Sequence, residues 1–135
     1  MQSFPINWLA ILVCVIFKQA LGWAWYSPLL FVDRWKRLTG VTQADIQAGM
    51  VKALIPDVIG SLIMAYVLVH AVHYAGATTL LMGAAVGFLN WLGFVAVTHL
   101  GSVTFEKHPF ELFVLNMSYQ AIALIVMGAI LAVWP

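Results

Sequence analysis

The sequence predicts an all-α, polytopic membrane protein, with four transmembrane helices in an antiparallel bundle and an amphipathic interfacial helix in the first connection. Of its 135 residues, 64% are hydrophobic and only 8% are charged, whereas soluble domains have about 45–50% apolar and about 25% charged residues. A soluble fold of this length keeps too much surface in water to hide so many apolar side chains. Four apolar segments approach the roughly 20 residues that cross a bilayer. These spans cover residues 6–25, 56–73, 79–99 and 110–134 of a single domain, residues 1–135.

The first span is predicted to stay in the mature protein. It lacks a basic N-terminal region and exceeds the roughly 7–15 apolar residues of a signal-peptide core. Its end carries Trp23, Trp25 and Tyr26, which match the aromatic belt of a membrane–water interface. Cys14, the one cysteine in the chain, lies inside this span, so no intramolecular disulfide is possible.

The first connection is predicted to be an ordered cytoplasmic platform over residues 28–52. At about 100° per residue, the side chains of a short helix there divide into an apolar and a charged face. The apolar face contains Phe31, Val32, Trp35 and Leu38, and the charged face contains Asp33, Arg34, Lys36 and Arg37. Such a helix lies in the membrane plane with its cations toward water and anionic head groups. The predicted membrane-interface anchors are therefore Trp23, Trp25, Tyr26, Phe31, Arg34, Trp35, Lys36 and Arg37. The alternative is a docking surface for a partner or a gate, because Trp and Arg also favour interfaces.

Capping signals divide the platform into two helices. Gly40 supplies a C-terminal stop for the first helix. Thr42 followed by Asp45 resembles a capping box, which starts a second helix that runs toward Lys52. The ring of Pro56 would clash with the Lys52 carbonyl, so we expect a kink or a break before the second span.

The end of the first span and the helix after it carry a distinctive set of residues: Trp25-Tyr26-Ser27-Pro28, then Phe31 and Trp35, and the ending Leu38-Thr39-Gly40. With this set, the chain resembles an uncharacterised domain-of-unknown-function family of small four-span bacterial membrane proteins with a Trp-Tyr-Ser-Pro stretch after the first span. The resemblance implies the same architecture over most of the chain and a place in the bacterial inner (cytoplasmic) membrane. It assigns no catalytic residue.

The remaining connections are short. Residues 74–78 form a tight hairpin between the second and third spans, and residues 100–109 join the third to the fourth, with Pro109 near the first turn of the last helix. Sequential helices should therefore pack as neighbours. Small residues at Gly83 and Gly87 on the third span, and at Gly128 and Ala132 on the fourth, favour close helix packing within the bundle over packing between copies.

The distribution of basic residues predicts the orientation. Lys and Arg near span ends are retained on the cytoplasmic side. The first and third connections contain all of those near span ends: Arg34, Lys36, Arg37, Lys52 and Lys107. Both termini are therefore predicted to be non-cytoplasmic.

Polar side chains inside the spans are the candidate intramembrane site: Lys18, Asn90, Asn116, Tyr119 and Gln120. Such residues normally face the bundle interior or a water-filled cavity. For Lys18 we expect snorkelling or a pairing with Asp57, and the alternative is the handling of an ion or substrate. The three amides are expected to form hydrogen bonds between helices. The alternative is that they line a narrow pore or a substrate cavity.

Histidines give only weak metal candidates, namely His70, His73, His99 and His108. His70 and His73 have helical spacing but no third ligand nearby. His99, Glu106, His108 and Glu111 form a second possible constellation on the cytoplasmic side, although Glu111 also suits the positive end of the last helix. The sequence predicts no metal and no cofactor, and a net charge of +1 argues against a nucleic-acid partner.

Three functions remain open. The first is a non-enzymatic membrane subunit or scaffold in the lipid bilayer, either a homo-oligomer or a subunit of a larger membrane complex. The second is a small oligomeric channel or transporter for a small solute or ion, lined by Asn90, Asn116 and Gln120. The third is a membrane-embedded enzyme that uses the cytoplasmic His/Glu group. Motifs for known chemistry are missing from the sequence.

Overall fold

The computed structural model describes residues 4–135, which form helices and no β-strand. Four helices are long and apolar enough to cross a membrane. They are α1 (Trp8–Trp25), α3 (Gln43–Tyr74), a helix over Leu80–Thr104, and α6 (Phe110–Val133). The third of these contains α4 (Leu80–Asn90), a π-helical segment (Trp91–Ala96) and α5 (Gly101–Thr104), and α2 (Val32–Thr39) lies in the first connection. The predicted all-α class with four apolar helices is confirmed.

Local hydrogen bonds set the helix ends, and several follow the predicted signals. The Thr42 hydroxyl accepts from the Asp45 amide at 3.1 Å, and the Asp45 carboxylate accepts from the Thr42 amide at 3.0 Å. This confirms the capping box. Gly40 ends α2 with φ of 77°, a left-handed conformation that glycine adopts without steric cost. The Asn7 side chain caps α1 by accepting from the Ala10 amide.

Helix α3 passes through Pro56 without a break. The helix that contains the second predicted span begins at Gln43, ahead of residue 56. Proline removes one hydrogen bond to the Lys52 carbonyl. Residues 51–60 are all exposed, so no neighbouring helix crowds this carbonyl or the proline ring, and the helix tolerates the loss. Ten residues of the predicted platform, 43–52, thus belong to the same helix as the second span.

The third span departs from regular α-helix, which the sequence did not predict. Trp91–Ala96 form a π-helical segment, in which the Val97 amide donates to the Leu92 carbonyl at 3.4 Å. At its start, the Trp91 indole donates to the Met117 carbonyl of α6 at 2.9 Å. The wider turn changes the faces that the rest of the span presents.

Helix α6 lies at the centre of the bundle and contacts all the other helices. It packs most extensively against α4, where Gly83 and Gly87 meet Gly128 and Leu124. A Cβ atom at Gly87 would overlap the Leu124 carbonyl, and one at Gly83 would overlap that of Gly128. The small-residue faces therefore act within the chain, as predicted. Because these contacts hold α4 on α6, α4 touches α3 only slightly, although the short hairpin predicted that they pack as neighbours.

The antiparallel helices gather the basic connections at one end of the bundle, which we call the basic end. There the C-terminus of α1 meets the N-terminus of α6, since the Tyr26 hydroxyl donates to Asn116. At the opposite end the Asn7 side chain donates to the Trp134 carbonyl, and the rings of Phe4 and His73 stack with centroids 3.7 Å apart.

Candidate functional site

A buried lysine lies where α1, α3 and α6 meet. Lys18 is only 3% exposed, and its Nζ lies 3.9 Å from Oδ1 of Asp57. The same Nζ is 5.3 Å from the centroid of the Tyr119 ring, a distance that permits a cation–π interaction. The Tyr119 hydroxyl donates to the Lys18 carbonyl at 3.1 Å. The structure therefore brings together Lys18, Asp57 and Tyr119 and holds the ammonium group inside the protein.

Two further side chains complete this polar cluster, and the sequence analysis missed both. Gln19 Nε2 donates to Oδ2 of Asp57 at 2.8 Å and to the Ser61 hydroxyl at 3.0 Å. Ser61, which is buried, donates its own proton to the Asp57 carbonyl at 2.8 Å. A signal was present, because Gln19 adjoins Lys18 and Ser61 follows Asp57 by one helical turn. We define the polar cluster as Lys18, Gln19, Asp57, Ser61 and Tyr119.

Aromatic donors join α1 to α6 between this cluster and the basic end. The Tyr26 hydroxyl donates to Oδ1 of Asn116 at 2.7 Å, and the Trp25 indole donates to the Leu115 carbonyl at 3.1 Å. Burial raises the pKa of the Tyr26 phenol, and nearby Tyr119 and Asp57 add to the rise. The phenol therefore stays protonated and can act as a donor.

The other two predicted intramembrane amides do not join this group. Asn90 Nδ2 donates to the Val86 carbonyl of its own helix at 2.8 Å. Gln120 Oε1 is buried and has no hydrogen-bond partner within residues 4–135. Asn90, Asn116 and Gln120 thus show no mutual hydrogen bond among the described contacts.

The predicted aromatic anchors divide into two groups. Trp23 is 72% exposed, as a lipid-facing belt residue would be. The rings of Trp25 and Phe31 lie 4.7 Å apart and those of Tyr26 and Trp35 lie 5.8 Å apart. The apolar face of α2, which the sequence predicted to lie on the membrane, contacts the end of the bundle through these rings. The rings of α2 find aromatic partners at the end of α1, which periodicity alone does not reveal.

The three cationic anchors have different surroundings. Arg34 Nε lies 2.8 Å from Oε1 of Glu111, and Lys36 Nζ donates to Gln43 Oε1 at 2.6 Å. Arg37 is exposed and forms no ion pair or hydrogen bond in the part of the chain that the structure describes.

The histidines remain scattered. His70 and His99 each place Nδ1 2.7 Å from a carbonyl one turn earlier, on Tyr66 and Val95. His73 stacks on Phe4, and His108 Nδ1 lies 3.8 Å from Glu106 Oε2. Within residues 4–135 no three His, Cys, Asp or Glu side chains come close enough to hold a metal ion. The constellation of His99, Glu106, His108 and Glu111 is not assembled, because Glu111 pairs with Arg34.

Tyr26→Phe tests the link between α1 and α6. We expect it to lower the free energy of unfolding by about 1 kcal/mol, because Asn116 Oδ1 loses its donor while the ring contacts remain. Thermal unfolding in detergent micelles measures the change. Tyr66→Phe is the matched control, since Tyr66 is exposed and no hydrogen bond of its hydroxyl is found within residues 4–135. Equal effects of the two variants would contradict the structural role of the Tyr26 hydroxyl.

Comparison with known proteins agrees with the resemblance noted in the sequence. A family model described as "Protein of unknown function (DUF1761)" matches residues 9–132. No curated protein and no solved structure matches the chain. The matched region covers nearly the whole chain, including the Trp-Tyr-Ser-Pro stretch that begins at Trp25 and the four apolar helices except for Trp8 and Val133 at their outer ends. The chain therefore belongs to DUF1761, an uncharacterised family of proteins of unknown function.

Proposed function

We propose that the protein is a non-enzymatic membrane subunit or scaffold that associates with a second copy of itself through α3. The observation that supports this proposal is the exposure of residues 51–60 of α3, where Asp57 is the residue whose side chain bonds to another helix among the described contacts. Val51, Leu54 and Ile55 are each more than half exposed, whereas Ser61, Ala65, Leu68 and Val72 are buried against the bundle.

The exposed half of α3 carries apolar side chains on two faces. Met50 and Leu54 lie on the continuation of the face that Ser61 and Ala65 present to the bundle, but both are exposed. At about 1.5 Å per residue, the 32 residues of α3 extend about 48 Å, against about 30 Å of hydrocarbon. Some of these apolar side chains therefore lie beyond the reach of lipid tails and are suited to a protein partner.

The second face has the spacing of a helix–helix seam. Val51, Ile55, Val58 and Leu62 follow one another at intervals of four, three and four residues, and Val51 and Ile55 are 71% and 59% exposed. This repeat is the a/d pattern of parallel coiled coils. We call these four residues the α3 seam. Two copies in one membrane share their orientation, so a two-fold axis along the membrane normal brings α3 against α3 in parallel.

The proposed location follows from charge. Five of the six Lys and Arg residues, all except Lys18, lie toward the basic end, three of them in α2, Lys52 in the first ten residues of α3 and Lys107 just before α6. The positive-inside rule therefore supports a cytoplasmic basic end and non-cytoplasmic termini. We place the protein in the bacterial inner membrane, with α2 at the cytoplasmic interface.

The other two functions receive less support. Asn90 Nδ2 donates within its own helix and Asn116 Oδ1 accepts from Tyr26, so one polar atom of each amide is already engaged in a structural hydrogen bond. Of the His and Glu side chains of the enzyme hypothesis, His108 and Glu106 lie 3.8 Å apart, whereas Glu111 pairs with Arg34.

Disulfide cross-linking in native membranes tests the α3 seam. With the buried Cys14 replaced by alanine, we expect Val51→Cys, Ile55→Cys and Val58→Cys each to give covalent dimers on oxidation. Ile59→Cys is the control, because Ile59 is 53% exposed and adjoins the seam without belonging to it. The proposal fails if the four variants cross-link equally or not at all, or if the natively extracted protein has the mass of a monomer.

A further inference from the structure

A shallow recess lies at the basic end between α2 and the start of α6. It has a volume of about 290 Å³ and is lined by Arg34, Arg37, Leu38 and Glu111. Two guanidinium groups face one carboxylate, so the recess carries an excess of positive charge. We propose that it binds the head group of an anionic phospholipid, a role that does not depend on self-association through α3.

The level of the recess along the bilayer normal matches that of a lipid phosphate. Helix α6 has 24 residues and is therefore about 36 Å long, so that it exceeds the hydrocarbon thickness of about 30 Å. With α6 centred in the bilayer, its first turn lies just outside the hydrocarbon. Glu111 is the second residue of that helix, and the recess beside it is therefore at head-group level.

The side chains around the recess would contact different parts of the lipid. Arg34 is held by its 2.8 Å contact with Glu111, which fixes one wall of the recess. Arg37 has no partner within residues 4–135, so its planar guanidinium is available for two parallel hydrogen bonds to a phosphate. Leu38 in the recess and the exposed Phe110 beside Glu111 offer apolar contact to the upper part of the acyl chains.

The packing of α2 on the bundle distinguishes this site from a diffuse basic surface. Because the rings of α2 pack on the bundle, the backbone of α2 is held beside the start of α6, and Arg37 lines the recess there. A phosphate at this position also lies near Glu111, which repels it. The affinity for the phosphate therefore depends on the attraction by Arg37 minus the repulsion by Glu111.

Native mass spectrometry of the full chain, titrated with short-chain phosphatidylglycerol or phosphatidylcholine, tests the proposal. We expect tighter binding of phosphatidylglycerol, and we expect Arg37→Gln to weaken it about fivefold, the effect of one basic residue near an anionic surface. Glu111→Gln should strengthen it by a similar factor. Lys52→Gln is the control, because it removes the same charge at the same end of the bundle but outside the recess.

Three results would overturn the proposal. Equal binding of the two lipids would show that charge is not recognised. Equal losses in Arg37→Gln and Lys52→Gln would show a diffuse basic surface without a built site. Full displacement of phosphatidylglycerol by inorganic phosphate at the same concentration would assign the recess to a free anion. Tighter binding of phosphatidylglycerol by Glu111→Gln together with weaker binding by Arg37→Gln supports the site. Neither substitution alters the packed core.

Discussion

Gly87→Ala is expected to lower the free energy of unfolding by about 2–3 kcal/mol, the upper part of the range for overpacked cores. The new Cβ would overlap the Leu124 carbonyl and lie 3.0 Å from the Ile125 Cα. Both neighbours are backbone atoms of α6, so no side chain can rotate away, and α4 must separate from α6. Separation also strains the Trp91 indole bond to Met117. Thermal or chemical unfolding in detergent micelles measures the change.

Gly60→Ala supplies the matched control for this prediction. Gly60 lies inside α3, and a Cβ atom there would meet no atom within 4 Å. Alanine stabilises a helix interior by about 0.5–1 kcal/mol relative to glycine, so this variant should be neutral or slightly more stable. If Gly87→Ala matches Gly60→Ala, then α4 and α6 do not approach as closely as the structure shows.

The second large effect is expected for Asp57→Asn, which should lower the free energy of unfolding by about 1–3 kcal/mol. Asparagine can still accept the hydrogen bond from Gln19, but the buried Lys18 ammonium loses its counter-charge. Removal of one partner from a fully buried pair costs about 3–5 kcal/mol. The value here is smaller because the Asp57 side chain is 53% exposed and solvent screens its charge.

The lysine itself provides the decisive comparison. Lys18→Met replaces the ammonium with an apolar side chain of similar length, so we expect little change in stability. In the Asp57→Asn background the same substitution should restore stability, because no unpaired buried charge remains. A double-mutant cycle measures this coupling. Additive effects of the two substitutions would mean that Lys18 and Asp57 do not interact, despite the 3.9 Å distance between their charged atoms.

Features that depend on a few neighbouring residues were predictable from the sequence. The four apolar helices, the glycine end of α2 and the Thr42–Asp45 capping box all follow from local composition and short-range hydrogen bonds. Close packing at Gly83 and Gly87 was also predictable, since small residues are enriched where membrane helices approach closely.

Features that depend on tertiary contacts were not predictable in the same way. The sequence could not show that α6 is central, because any of the four apolar helices has enough hydrophobic surface for that place. The π-helical segment at Trp91 and the inward rings of α2 both follow from partners distant in the sequence. The pairing of Lys18 with Asp57 could be predicted from their opposite charges. The hydrogen bonds of Gln19 and Ser61 could not, because they depend on how α1 and α3 are aligned along each other.

The continuity of α3 has a mechanical consequence. A helix that runs unbroken from Gln43 to Tyr74 couples a tilt or rotation at its basic end to its opposite end. Pro56 removes one backbone hydrogen bond from this helix, so any bending is easiest between Lys52 and Pro56. Asp57 adjoins that point and is bonded to Gln19, so the polar cluster holds α3 to α1 next to the position where the helix bends most easily.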